Sequence, residues 1–317
     1  MAKHTTFSKS NKIKKSLFHQ YLTLYIITAF LPAALASVSL GFSYRALEQE
    51  IVTSNQTVTT LIKETLDTKF NELDSVLQQI SQEASLTQYL LKEDPTGAVS
   101  CLRRLCSLQD CIDNIIITTR NGNCVYTSTG VIRDTDLSYH SFINDYVQSG
   151  LTPEKWLDDL RQTTAPVYAY ANTIKNPQYL YYFSPIYSNF SYDGSSISRT
   201  VALLINQDFI RDLFRSSQST NEESILLLDS NFNLLSFFSQ NIHFDEINEI
   251  CQELKDYNPN KGTTFFESED GIIYFLSYST DSELYYIRFL PKHRVFETLN
   301  SYFYARVIFP LFVRCFY

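Results

Sequence analysis

The sequence predicts an α+β protein in which one long N-terminal helix, first transmembrane and then a stalk, precedes two tandem antiparallel five-stranded sheets. Three observations predict it. Residues Ser16 to Tyr44 contain no Asp, Glu, Lys or Arg. No Gly or Pro occurs between Phe42 and Asp94, while apolar residues recur at helical spacing. Beyond that stretch, one order of strands and helix is written twice.

Composition bounds the answer first. A chain of 317 residues with 44% hydrophobic content has room for two compact domains. Its 22 Tyr and 23 Phe stand against one Trp, one Met and 8 Gly, so aromatic-rich strands should build much of the core. The formal charge of -8 is uneven. Lys3, Lys9, Lys12, Lys14 and Lys15 precede the first acid, so the rest of the chain carries all of the acidic excess. An acidic body repels phosphate, which excludes nucleic acid as a partner of this chain.

Residues 1-15 read as a basic cytoplasmic tail and 16-44 as a transmembrane helix, long enough at about 1.5 Å per residue for the ~30 Å hydrocarbon slab. The positive-inside rule then places the N-terminus in the cytoplasm and residues from about 45 to 297 outside. Membrane lipid is the first expected partner. A cleaved signal peptide competes with this reading, because Ala34-Leu35-Ala36 is a small-x-small site after a basic and then an apolar stretch.

Residues 45-94 form the stalk. Leu47, Ile51, Val58, Ile62, Leu66, Phe70, Leu73, Leu77, Ile80 and Ala84 make an apolar stripe at steps of three, four and seven. The plainer reading packs this helix on its own domain, the functional one makes it a stalk leaving the membrane, and both can hold at once; the long stripe also suggests stalks pairing in a homodimer. Pro95 and Gly97 are expected to end it, with a short helix near Val99 to Leu108 following.

The first pass of the repeat, within 95-217, has strands Ile112 to Thr119 and Cys124 to Ser128, joined at Asn121-Gly122, then helical material from Tyr139 to Gln162. Thr152-Pro153-Glu154 supplies a cap, a first-turn proline and an early acid. Strands Ala165 to Ala171, Tyr179 to Tyr187 and Arg199 to Asn206 follow, and a helix from Gln207 to about Ser217 leads on. The second pass, within 218-292, has strands Ser224 to Asp229 and Phe232 to Phe238 and a helix Phe244 to Tyr257. Strands Thr263 to Glu267, Ile272 to Ser279 and Leu284 to Leu290 complete it. Residues 293-317 read as an incomplete second transmembrane helix, with Arg306 and Arg314 bracketing Pro310.

That order is the connectivity of a PAS-like fold, and two copies behind a membrane-exiting helix resemble the double Cache region of bacterial receptors. Phe18 to Leu40, the run Glu50-Ile-Val-Thr-Ser-Asn-Gln56 and Val201-Ala-Leu-Leu-Ile-Asn-Gln-Asp208 are most similar to the sensor half of membrane-bound AraC-type transcriptional regulators. Cache-bearing sensor histidine kinases come next. The resemblance implies a small extracellular molecule bound in the first, membrane-distal copy and a signal passed through the second to an effector. It directs attention to the segment that caps the pocket, with Trp156 and Arg161, and to Tyr168 and Tyr170 on the next strand. Asn206 or Asp208 loosely matches the family's acidic ligand contact, while the Arg-x-Trp-Tyr element of its amino-acid binders is absent. A guanidinium clamps a carboxylate and aromatic rings wall a pocket. The plainer alternative makes Trp156 a core anchor and Arg161 a solvated helix end.

No enzyme signature accompanies this. Gly-x-Ser-x-Gly, His-Glu-x-x-His and a phosphate-binding glycine loop are all missing, and no cofactor is implied. Cys101, Cys106, Cys111, Cys124 and Cys251 do not have zinc spacing, and the histidines are isolated, so no metal site is expected.

Overall fold

The computed structural model describes residues 6–169, 177–187, 197–217, 223–239, 244–256, 265–268 and 270–297. Tyr170, the Asp193-Gly194 turn and the expected second span beyond Glu297 lie outside them. Helix α1 spans Thr6–Gln82. The chain divides into a compact unit from Asn55 to Val295 and a second unit of Met1–Ser54 with Phe296–Tyr317.

Within Met1–Ser54, α1 has exposed apolar side chains along its length, among them Tyr25, Phe30, Leu35 and Phe42. Its threonines satisfy themselves, with Thr23 Oγ1 donating to the His19 carbonyl at 2.7 Å and Thr28 Oγ1 to that of Leu24 at 2.9 Å. No helix among the described residues is long and apolar enough to cross a membrane. The segment is uncharged, but Tyr21, Thr23, Tyr25, Thr28, Ser37 and Ser39 dilute its hydropathy.

In the Asn55–Val295 unit the stripe behaves as the plainer reading of it expects. Ile62, Leu66, Phe70, Leu73, Val76 and Ile80 are all buried in one core with both sheets. From Ile62 on, the apolar face is used within the chain. The stalk does not run unbroken to Asp94. Glu83 is extended (ψ 118°), a 3-10 turn occupies Ala84–Leu86, and short helix α2 spans Gln88–Glu93. Caps make this break without glycine or proline. Thr87 accepts from the Leu90 amide, and Asp94 accepts from the Gly97 amide at 2.9 Å to start α3, Pro95–Cys106. Pro95 therefore opens a helix at its first position, where its missing N–H costs nothing.

The first lobe's strands are β1 (Ile112–Thr119), β2 (Cys124–Thr127), β3 (Val131–Arg133), β4 (Val167–Ala169), β5 (Tyr179–Tyr187) and β6 (Ile197–Asn206). They form one antiparallel sheet in the order β3-β2-β1-β6-β5-β4. Between β3 and β4 the segment is broken into 3-10 turns Asp134–Tyr139 and Ser141–Ile143 and helices α4 (Asn144–Gln148) and α5 (Pro153–Gln162). After α6 (Gln207–Ser217), the second lobe has β7 (Ser224–Leu228), β8 (Leu234–Phe238), α7 (Phe244–Asp256), β9 (Phe265–Glu267), β10 (Ile272–Tyr278) and β11 (Tyr285–Pro291), in the order β8-β7-β11-β10-β9. Each sheet has the strand order 2-1-5-4-3 of a PAS-like fold, and the first has six strands rather than the five expected. The extra strand, β3, is three residues long, pairs only on the β2 edge and follows Gly130, so it leaves no periodic signal.

Alternation along the strands gives each sheet two faces. Ile115, Ile117, Val201 and Leu203 of the first lobe and Ile225, Leu227 and Tyr286 of the second join α1, α3 and α6 in one continuous core. On the first lobe's other face, Ile116, Ala202, Leu204, Tyr181 and Phe183 pack under the 134–162 segment. The second lobe's other face packs under Ile247, Ile250, Cys251 and Leu254 of α7. Cys101, Cys106, Cys111, Cys124 and Cys251 are free thiols, none fully exposed.

Candidate functional site

The outer face of the first sheet collects polar groups at its ends and aromatic rings at its middle. Helix α5 is set by the Thr152 cap, whose Oγ1 accepts from the Lys155 amide at 3.2 Å, and it buries Trp156, Leu157 and Leu160. Trp156 is fully buried, with ring centroids 5.7 Å from Phe142, 5.9 Å from Phe183 and 6.4 Å from Tyr181. The Tyr181 hydroxyl donates to the Phe142 carbonyl at 2.7 Å, but Trp156 Nε1 has no acceptor among the described residues. A buried donor left without an acceptor is costly, so it marks a place where a polar group is wanted.

One turn beyond Trp156, Arg161 reaches the same face at the strand end. Its Nη1 and Nη2 donate to the two Asp134 carboxylate oxygens at 2.9 and 3.1 Å, and Nε and Nη2 donate to Thr118 Oγ1 at 3.3 and 3.2 Å. Arg161 is thus a bidentate carboxylate clamp, but the carboxylate it holds belongs to the chain. Thr200, across the ladder from Thr118, has a fully buried hydroxyl with no partner among the described residues. The sequence signals neither Asp134 nor Thr200, since Asp134 is 27 residues before its arginine.

The other expected site residues lie elsewhere. Asn206 is six residues along β6 from Thr200, about 20 Å at ~3.3 Å per residue. There Asn206 Nδ2 donates to the Asp113 carboxylate at 3.1 Å, and Asn206 Oδ1 accepts the Asp208 amide at 2.8 Å, capping α6. Asp208 is exposed and pairs with Arg211 at 2.7 Å. Tyr168 belongs to the opposite face of the sheet, its ring 4.7 Å from Tyr182 and 5.5 Å from Phe70 of α1. Burial holds its hydroxyl well above the usual tyrosine range. The structure therefore brings Trp156 and Arg161 to one face and separates Tyr168, Asn206 and Asp208 from them. Among the described residues, no group of three His, Cys, Asp or Glu could hold a metal ion.

Among solved structures the chain is similar in outline to several sensor domains, each at a TM-score below 0.5. The extracellular domain of the histidine kinase rpHK1S-Z16 is 14% identical over 76% of this chain and 94% of that one, with a TM-score of 0.49. The ligand-binding domain of Mlp24 with asparagine is 11% identical over 81% and 99%, at 0.47. The ligand-binding domain of the Campylobacter jejuni chemoreceptor Tlp3 in complex with 4-methylisoleucine is 10% identical over 78% and 94%, at 0.45. No protein-family model matches the chain, and no curated protein does.

Proposed function

We propose that the chain is a membrane-anchored extracytoplasmic sensor, a binding module rather than an enzyme, that takes a small carboxylate-bearing molecule on the Trp156 face of its first lobe. The observation that carries the reading is the pairing of a bidentate Arg161 clamp with two buried groups, Trp156 Nε1 and Thr200 Oγ1, that have no partner among the described residues. In the structure Asp134 occupies the clamp. A ligand carboxylate displaces it, and the freed 134–139 turn shifts the capping segment. Two states that differ in who holds Arg161 give a ligand the differential affinity a switch requires.

The anchor is residues 16–44, supported by the absence of charge and by apolar side chains exposed along α1. The effector is that of an AraC-type regulator or, within the same class, of a sensor histidine kinase. Support for either comes from the stretches Phe18 to Leu40, Glu50 to Gln56 and Val201 to Asp208. A secreted binding protein is the reading that cleavage after Ala36 would favour.

The test uses the full chain in lipid nanodiscs. The single tryptophan reports the site directly, so amino acids, hydroxy acids and dicarboxylates are titrated while its emission and the thermal midpoint are followed. One class should change both, and Arg161→Ala should weaken it at least tenfold. A panel that changes neither, or a hit bound equally by Arg161→Ala, overturns the proposal. Carbonate extraction tests the anchor separately, since a chain released to the supernatant is not embedded.

A further inference from the structure

Helices α4 and α6 meet where β5 begins, and the polar groups that join them continue to β8 of the second lobe. Asp145, on α4 in the 134–162 segment, is buried. Its Oδ2 accepts the Gln178 amide at 2.7 Å and the Tyr179 amide at 3.0 Å. Bonds from backbone N–H groups to a carboxylate are charge-assisted and stronger than neutral ones. From the other side, α6 holds the same short stretch through its first two turns. The Gln207 amide donates to the Gln178 carbonyl at 3.0 Å, and Arg211 Nη2 donates to that of Pro177 at 2.7 Å.

The Gln207 side chain, 1% exposed, turns to the second lobe. Its Nε2 donates to the Leu235 carbonyl at 2.8 Å, and its Oε1 accepts from Ser236 Oγ at 2.6 Å, both on edge strand β8. Around it, Ile210 and Phe214 of α6 pack with Leu235 in the continuous apolar core. A side-chain amide in such a place leaves costly unsatisfied groups if either bond is lost, so Gln207 fixes where α6 sits on β8. At the other end of the chain of bonds, Tyr146 follows Asp145 on α4, and its ring stands edge-on to Tyr181 at 5.2 Å, beside Trp156. The packing of the Trp156 face is therefore felt at α4.

We propose that Asp145, the Pro177–Tyr179 backbone and Gln207 form a relay that couples the 134–162 segment of the first lobe to strand β8 of the second. A shift of α4 moves the start of β5 and with it the Gln207 amide. The Gln207 side chain carries that displacement to β8, because its two bonds cannot both survive a slide of α6 along the strand. Asp145 and Gln207 are thus positioning residues. The coupling needs no ligand, so it stands or falls separately from the carboxylate reading.

The test is hydrogen exchange followed by mass spectrometry, on the full chain in lipid nanodiscs with no ligand added. Asp145→Ala touches only the first lobe, yet it should speed exchange of the β8 amides about fivefold or more and leave β10, in the same sheet, within about twofold. In a Gln207→Leu background, where the relay is already cut, adding Asp145→Ala should leave β8 within about twofold of that background. Coupling is reciprocal, so Ser236→Ala in the second lobe should speed exchange at residues 178–181 about threefold. That milder variant decides the question if Asp145→Ala does not fold. Thr152→Ala removes the α5 cap in the same segment without touching the relay, so it controls for general loss of stability and should leave β8 unchanged. The proposal is overturned if neither Asp145→Ala nor Ser236→Ala changes exchange in the opposite lobe, if the effect of Asp145→Ala on β8 persists in Gln207→Leu, or if Thr152→Ala speeds β8 as much.

Discussion

The two lobes share a strand order and differ in where they place buried charge. The second lobe puts it against α1. Arg288, 1% exposed, is ion-paired to the fully buried Glu223 and donates through Nη1 to Asn55 Oδ1 at 2.7 Å. Asp67 then ties α1 to Tyr286 and Ser282 on the same side of that sheet. The first lobe meets α1 mainly through apolar contact, with the Tyr182 to Asp74 hydrogen bond at its edge and Arg199 donating to the Leu86 carbonyl of the helix break. Its clamp faces the other way, toward the capping segment. Buried charges with partners specify one geometry, and breaking one is expensive. One sheet thus carries its buried ion pair against the helix, while the other directs its arginine–carboxylate pair to the capping segment.

Substitutions at five positions sharpen or break this contrast. Arg288→Ala strands Glu223 in the core and should destabilise the chain by about 3–5 kcal/mol, read from chemical unfolding. The double variant Arg288→Met with Glu223→Gln should recover much of that, and failure to recover would show that packing, not charge, fixes the second lobe. Asp67→Asn should cost about 2 kcal/mol at neutral pH. Burial alone would raise the Asp67 carboxyl, but hydrogen bonds from Tyr286, Ser279 and Ser282 and from Lys63 outweigh it and hold the group below its ordinary 3.8. A depressed carboxyl contributes fully above its unfolded value and is lost as pH falls through the folded one. The gap between wild type and Asp67→Asn should therefore be constant from pH 7 to 5 and close below about pH 4.

In the first lobe the expected losses are smaller. Arg161→Ala should cost about 1–2 kcal/mol in thermal unfolding, because its partner Asp134 is partly exposed and can rehydrate. Trp156→Phe should cost about 1 kcal/mol or less, because the lost indole N–H makes no hydrogen bond, and yet it should weaken the carboxylate ligand. If Trp156→Phe proved as damaging as Arg288→Ala, the first lobe would be held as rigidly as the second and the contrast would fall.

Much of the fold was legible because hydrophobic period carries it. The boundaries of β1 and β5, the start of α7 and the inward stripe of α1 all follow from alternation and helical spacing. The break at Glu83 was not legible, because Thr87 and Asp94 make it through capping geometry inside a run free of glycine and proline. Strand β3 was too short to show a period. At the site, Trp156 and Arg161 were visible as an aromatic and a cation on a capping segment. Asp134 and Thr200 were not, since only the tertiary fold brings Asp134 to Arg161 and only sheet register sets Thr200 opposite Thr118. Asp74, Asp229, Asp281 and Glu283 line one cavity, yet each is an ordinary turn or helix residue in its own neighbourhood. Only the tertiary fold makes them neighbours.

The unpaired cysteines carry one more consequence. Burial raises the Cys111 and Cys251 thiols to about 11, so at neutral pH roughly one in ten thousand of either is the thiolate that oxidants and alkylating reagents attack. Both sulfurs should outlast long exposure to peroxide or iodoacetamide while the fold holds, and react only once it opens. Their labelling rate then becomes a clock for global unfolding.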